Sequence, residues 1–265
     1  MEERPVIVGA VATHPESVVL WEGVRACFSA MRTLMDVTLY SNFDRLTEQL
    51  MAGQVDLAWL SPLAYARARR RIGGLLLPVL IGDRDRDLRS HLVMRRDGPA
   101  FSLSSLEGAT IAVGSSDSAP ARVLPLYFLR QAGVELSRIQ VLPLEVDQGK
   151  GGESPLSERA VLAAVREGRA AVGAVGERVW RAGSEEYEML ASVWSSPPYD
   201  GAVFCALASV PTVLRLDFER VMRAMSPSVP EHRAVLDRAG VSGWVSAREP
   251  GYLAVRQAIE ERPTW

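Results

Sequence analysis

Apolar positions lay out the plan of the chain. Residues 4–12, "RPVIVGAVA", are a nearly unbroken apolar run and predict a buried strand. Thr13, His14, Pro15 and Glu16 then make a capping box with proline in the first turn. Val18, Trp21, Val24, Phe28 and Met31 follow at helical spacing, giving a helix with one apolar face. A strand, "MDVTLY", a helix, "FDRLTEQLMAG", closed by Gly53, and a further strand, "VDLAWL", come next. This alternation belongs to an α/β sheet, which holds ligands at the carboxyl ends of its strands.

The same order recurs further along. "ATIAVG" leads through a serine-rich turn into a helix, "IQVLPLE" is the next strand, "ERAVLAAVREG" the next helix and "AAVGAV" the strand after it. With Gly53 set against Gly168, "LTEQLMAGQVDLAWLSP" lies beside "VLAAVREGRAAVGAVGE", each an amphipathic helix that stops at glycine and drops into a short apolar strand. The expectation is an α/β protein of two similar lobes with mixed sheets flanked by helices, the second lobe inserted in the first. Lobe 1 would take residues 1–93 and 203–265, and lobe 2 residues 94–202. Crossings are expected near 90–96, at the strand "SHLVMRR", and near 198–205, where a Pro-Pro pair in "SSPPYDGAVFCALAS" marks a stiff boundary. Three tail helices, near 212–225, 231–239 and 248–261, are expected to pack on lobe 1.

Composition narrows the function classes. The chain has 265 residues, 48% hydrophobic and 23% charged, without a run of eighteen apolar residues, which reads as a soluble globular protein. A net charge of -2 and a pI near 6.0 give no broad basic surface for nucleic acid or an anionic membrane. The basic run at 67–71, "RARRR", reads as a solvated helix end. Cys27 and Cys205 fall in apolar segments and read as buried thiols, although sequence alone leaves their pairing open. No zinc spacing is found, so neither metal nor cofactor is expected. "MEERPVIV" lacks the charged and apolar regions of a leader, which implies a cytoplasmic protein, or a periplasmic or extracytoplasmic one whose leader has been removed.

Candidate chemistry gathers at strand ends. In "IAVGSSDSAPARVLP", residues 111–125, a strand feeds a helix through Ser115, Ser116, Asp117 and Ser118, a geometry that offers main-chain N–H groups and a helix dipole to an anion. Asp117 has the wrong sign for that role: about 4 Å from a bound oxyanion it would cost about 1 to 4 kcal/mol. The helix end returns only about 0.3 to 2 kcal/mol. Two readings stay open. Asp117 is either the helix N-cap or a partner for a cationic or hydrogen-bond-donating ligand group. In "GDRDRDLRSHLV", residues 82–93, Arg84 or Arg86 sits at a strand end where it could grip a carboxylate or phosphate, and solvated surface pairing is the other reading. Ser61 followed by Pro62 reads equally as a cleft residue or as an N-cap with proline at N1. Trp59 and Trp194 read as core or cleft residues. The glycine-rich "VDQGKGGESP" is not a phosphate-binding P-loop, because no Ser or Thr follows Lys150.

The segments "YSNFDRLTEQLMAGQVDLAWLSPLAYARA" and "SLEGATIAVGSSDSAPARVLPLYFLRQAGVEL" resemble the phosphate/phosphonate-type periplasmic solute-binding proteins of ABC transporters, over roughly residues 6 to 210. The resemblance implies the type II periplasmic-binding-protein fold, with a ligand cleft between the lobes. It also implies a non-catalytic function: binding a small anion or zwitterion, phosphonate-like, as a monomer that serves a membrane permease. The ligand's oxygens would be held by hydroxyl residues at a second-lobe helix N-terminus and by Tyr and small residues of the first lobe. On that basis the ligand-binding candidates are Tyr40, Ser61, Pro62, Arg84, Ser115, Ser116, Asp117, Ser118 and Asp200. Where the family has Ser-Thr-Ser, this chain has Ser118, Ala119 and Pro120. Two alternatives are a cytoplasmic ligand-sensing module of the same fold, and an enzyme using a cleft serine with His91 as base. No G-x-S-x-G elbow supports the latter.

Overall fold

The computed structural model describes residues 4–12, 16–145, 155–183 and 187–261. The capping box at 13–16 and the glycine-rich loop from 146 fall wholly or mostly outside them. The chain divides into two compact units, one of residues up to Arg86 with Asp200–Tyr252, the other of Asp87–Tyr199 with the residues from Leu253 on.

The first unit is built from β1 (Val6–Val11), α1 (Glu16–Ala30), β2 (Met35–Tyr40), α2 (Phe43–Met51), β3 (Leu57–Leu60), α3 (Pro62–Ile72) and β4 (Leu76–Gly82). After the second unit's main segment it resumes with β10 (Val203–Leu207), α7 (Thr212–Ala224), α8 (Pro230–Ala239) and β11 (Trp244–Ser246). Its sheet runs β11-β4-β10-β3-β1-β2, with β1 parallel to β2 and β3, and β10 antiparallel to β3 and β4. Alternation along β1 sends Val6, Val8 and Ala10 into a core with Trp21, Phe28 and Phe218, while Ile7 and Val11 face Leu46, Leu50 and Tyr65. Trp59 belongs to the first of these cores, stacked 5.7 Å from Phe204, and not to a ligand site. The two cysteines sit in different cores and both are free thiols.

The second unit contains β5 (Ser90–Arg95), β6 (Thr110–Val113), α4 (Leu124–Gln131), β7 (Gln140–Pro143), α5 (Pro155–Arg166), β8 (Val172–Gly176), α6 (Glu177–Arg181), β9 (Leu190–Ser195) and α9 (Leu253–Glu260). Its sheet runs β7-β6-β8-β5-β9, with β6 parallel to β7 and β8, and β5 antiparallel to β8 and β9. Trp194 packs against its core.

The internal repeat is visible in this topology. β3-β1-β2 and β8-β6-β7 have the same order and sense, and Gly53 and Gly168 close the matching helices at φ +69° and +75°.

Two expectations need correction. "SHLVMRR" is no crossing strand: β5 is hydrogen-bonded between β8 and β9 inside the second unit, and the boundary falls earlier, at residues 86/87. Nor do all three tail helices pack on the first unit. Tyr252 ends a 3-10 turn inside the first unit's core. α9 then joins the second unit, where Arg130 and Gln131 of α4 bind Glu261 at 2.5 and 2.7 Å.

Candidate functional site

In the first unit, parallel pairing brings the carboxyl ends of β1, β2 and β3 to one edge of the sheet. Val11 lies opposite Tyr40, and the main-chain N–H of Ala12 donates to Tyr40 O at 3.0 Å. Tyr40 is half-buried there. α2 starts at the same edge, capped by Asn42, whose Oδ1 accepts from Arg45 N at 2.9 Å. α3 also starts there: Ser61 is its N-cap, accepting from Ala64 N at 3.3 Å, with Pro62 in the first turn. The capping role of Ser61 is therefore present. β4 reaches the same edge, because Ile81 and Leu60 both lie opposite Val203. The turn that follows exposes Arg84 to solvent.

Asp200, just before β10, lies at this edge too, but its side chain is closed off from it. It is fully buried, and its two oxygens accept from Nε and Nη2 of Arg248, each at 2.8 Å. Gly251 is required beside it, since a Cβ at that position would stand 2.0 Å from Asp200 Oδ2. A carboxylate already gripped on both oxygens has a structural role, so Asp200 is withdrawn as a ligand residue. Arg86 is also engaged elsewhere, through Nη2 to Ser246 O.

In the second unit, the turn after β6 is fastened from several sides. Ser115 N donates to Ser157 Oγ at 2.8 Å, and Ser157 Oγ donates to Leu144 O at 2.8 Å. Ser118, not Asp117, is the helix N-cap: its Oγ accepts from Ala121 N at 3.1 Å. The helix opens with a π turn, Ala119–Val123, and continues into α4. Asp117 sits half-buried in the turn before the cap. Ser115 Oγ is buried without a hydrogen-bond partner among the described residues.

One residue that was not anticipated changes the electrostatics of this turn. Glu145, just beyond β7, accepts from Ser116 N at 3.2 Å and from Arg122 Nη1 at 2.8 Å, with Ser116 Oγ 3.5 Å away. A carboxylate therefore occupies two donors of this turn, the Ser116 amide and the Arg122 guanidinium. β6 and β7 are parallel with Val113 opposite Pro143, so a residue two places past β7 lands beside the serine turn. The repeat alone does not reach it: Tyr40 closes β2, whereas Glu145 lies two residues past the end of β7, and the register of β7 on β6 is what reveals the contact.

Two further carboxyl groups lie at the end of β8. Glu158 is buried and accepts from Gly176 N at 2.6 Å; burial pushes its carboxyl up to about 7, with the Gly176 bond opposing. Glu177 accepts from Arg89 N at 2.9 Å and pairs with Arg181 at 2.6 Å. His91 lies within β5, with Nδ1 2.9 Å from Ser192 Oγ, and burial pushes its imidazole below the usual range. Its observed hydroxyl partner is on β9, away from the serine turn, so the nucleophile–base pair of the enzyme alternative is not formed. Among the described residues no group of three His, Cys, Asp or Glu could hold a metal, and no helix is long and apolar enough to cross a membrane.

Comparison with known proteins identifies the family and the fold. The probable phosphite-binding protein PhnD1 of an ABC transporter from Prochlorococcus marinus is 22% identical over 217 residues, spanning 77% of this chain and 70% of that protein. The solved structure of PhnD1 from the same organism, in complex with methylphosphonate, matches with a TM-score of 0.72 at 19% identity and covers 98% of each chain. A Xanthomonas citri protein bound to ATP matches with a TM-score of 0.73 at 20% identity, over 96% of this chain and 98% of that one. Structural likeness at such identity speaks for the fold. The family described as ABC transporter, phosphonate, periplasmic substrate-binding protein matches residues 29–252, most of both units, and the chain belongs to that family, whose members bind solute and do not transform it.

Proposed function

We propose that this protein is the phosphonate receptor of an ABC importer, a monomer that carries its ligand in the periplasm to a membrane permease. The observation that carries the reading is the anion already held at the second unit's serine turn: the Ser116 amide and the Arg122 guanidinium grip the Glu145 carboxylate. Donors that hold one oxyanion suit another. Ser115, Ser116 and Ser118 supply the ligand contacts of this unit. In the first unit they come from Tyr40, from the α3 start at Ser61 and Pro62, and from the exposed Arg84. Asp117 stands beside the same turn and suits an ammonium group, which makes an aminoalkylphosphonate, a zwitterion, a fitting ligand. The methylphosphonate and ATP of the two solved relatives both present phosphorus-bound oxyanions.

The test is calorimetric titration with methylphosphonate, 2-aminoethylphosphonate, phosphite, phosphate and acetate. Saturable binding of a phosphonate, weakened in Ser116→Pro, which lacks the amide donor, and in Arg122→Gln, is the expected result. Binding of amines or carboxylates alone would overturn the assignment.

A further inference from the structure

The amino ends of the first unit's strands, at the sheet edge opposite Tyr40 and Ser61, border a cavity of about 720 Å³. That volume falls within the roughly 300–1,000 Å³ typical of small-molecule sites. One wall is apolar: Val6, Leu34, Val213 and Leu214 line it, and Leu34 and Val213 are held 55% and 56% exposed to water. The other wall carries Arg4, Arg32 and Arg220 against one lining carboxylate among the described residues, Asp217. Arg4 is committed to Asp56 through bonds of 2.8 and 2.7 Å. Arg220 spans Thr33 Oγ1 at 2.8 Å and Asp217 at 3.3 Å. The Arg32 guanidinium has neither hydrogen bond nor ion pair among the described residues.

The backbone at Arg32 is a second, independent observation. α1 ends with Arg32 N donating to Ser29 O and Thr33 N donating to Phe28 O, each at 3.0 Å, which is a Schellman closure. Its left-handed position, φ +53°, is one that glycine normally fills. This closure fixes the Arg32 backbone and so places its cation on the rim of the apolar cavity.

We infer that this cavity is a second binding site, separate from the phosphonate site, for an amphiphilic anion: an apolar chain of several carbons lying on Leu34 and Val213, with an oxyanion head gripped by Arg32 and Arg220. A free alkyl phosphate and an anionic lipid head with its chain share this chemistry. Guanidinium groups match such heads in bidentate fashion.

Calorimetry with octyl phosphate below its critical micelle concentration tests the site, with octylamine and inorganic phosphate as comparators. Saturable binding of octyl phosphate alone is expected, weakened at least ten-fold in both Arg32→Asn, which tolerates the left-handed backbone, and Arg220→Gln. An unchanged unfolding midpoint would show that both variants are folded. Binding should survive saturating methylphosphonate; its loss would place octyl phosphate in the phosphonate site and overturn the proposal. Absence of saturable binding, equal binding of octylamine, or affinity unchanged in both variants would also overturn it. Co-sedimentation with phosphatidylglycerol vesicles then separates the sources. Arginine-dependent pelleting assigns the head to a membrane lipid, and binding of octyl phosphate without pelleting assigns it to a soluble amphiphile.

Discussion

Replacing Glu145 by glutamine keeps the side chain's length and removes its charge, which isolates the effect of an internal anion on ligand affinity. Glu145 is bonded to Ser116 N and Arg122 Nη1, so a ligand oxyanion using the same donors must displace the carboxylate or bind beside it. Two unit charges about 4 Å apart repel by about 1 kcal/mol in water and by about 4 kcal/mol at an effective dielectric of 20. The Glu145 side chain is 44% exposed, which places the repulsion toward the screened end, at about 1 to 2 kcal/mol. Relief of that repulsion corresponds to about five- to thirty-fold tighter binding. The lost pair with Arg122 contributes only about 0 to 1 kcal/mol to folding, so the variant should remain folded.

The assay is calorimetric titration of methylphosphonate into parent and Glu145→Gln protein at low and high salt. The gain should be largest at low salt and shrink as the Debye length falls below the separation of the charges. Arg122→Gln should act in the opposite direction by removing a cation from the same donor set. A Glu145→Gln protein with a normal unfolding midpoint and equal or weaker affinity at low salt would refute the internal-anion argument.

Glu158, held up to about 7 by burial, binds a proton in the folded state that the unfolded chain releases near 4.5, so stability from this group is present at low pH and lost as pH rises through about 7. The difference amounts to about 3 kcal/mol, and Glu158→Gln should therefore gain on the parent between pH 5 and pH 8 in thermal melts; parallel pH profiles would count against it. Asp200→Asn removes the charge facing Arg248 and should cost about 3 kcal/mol, the low end for a buried pair because Arg248 is 39% exposed. Urea unfolding should show that loss with phosphonate affinity unchanged, whereas a selective loss of affinity would return Asp200 to the binding site. Burial pushes the Cys27 and Cys205 thiols upward, so neither should react with a thiol reagent until denaturant is added, and rapid labelling of the native protein would contradict their placement.

What the sequence shows and hides follows from the range of the interactions involved. Helix–glycine–strand units are local, so the repeat of β1–β3 in β6–β8 can be read from residue types alone. The destination of α9 is not local: its partners Arg130 and Gln131 lie about half the chain away. Asp200 looks like a site residue until Arg248, 48 positions later, takes both its oxygens. At the serine turn, Asp117 and Ser118 are both good caps by type. The choice between them depends on the π turn, where Val123 N reaches back five residues to Ser118 O and fixes the helix start there. Glu145 lies two residues past the end of β7, beyond the strand end that Tyr40 occupies in the other unit, so the repeat alone leaves its contact with the serine turn unread.

That placement also bears on selectivity. If ligand binding exchanges Glu145 for an external anion at the Ser116 amide and Arg122, measured affinity is the difference between two anions competing for the same donors. A carboxylate ligand offers them nothing that Glu145 does not, and it also bears the ordering cost of association. A phosphonate brings a third oxygen and, when doubly ionised, a second charge, so it gains contacts that the internal carboxylate cannot reproduce. An internal carboxylate therefore sets a threshold: it lowers the affinity of every anion that takes its donors, and a ligand with no contacts beyond them falls below it. Glu145→Gln should therefore raise the affinities of acetate and methylphosphonate by the same factor, bringing acetate into a measurable range while the ratio between the two stays unchanged. A ratio that widens several-fold in favour of the doubly charged methylphosphonate would refute exchange and show that Glu145 stays beside the ligand and repels it.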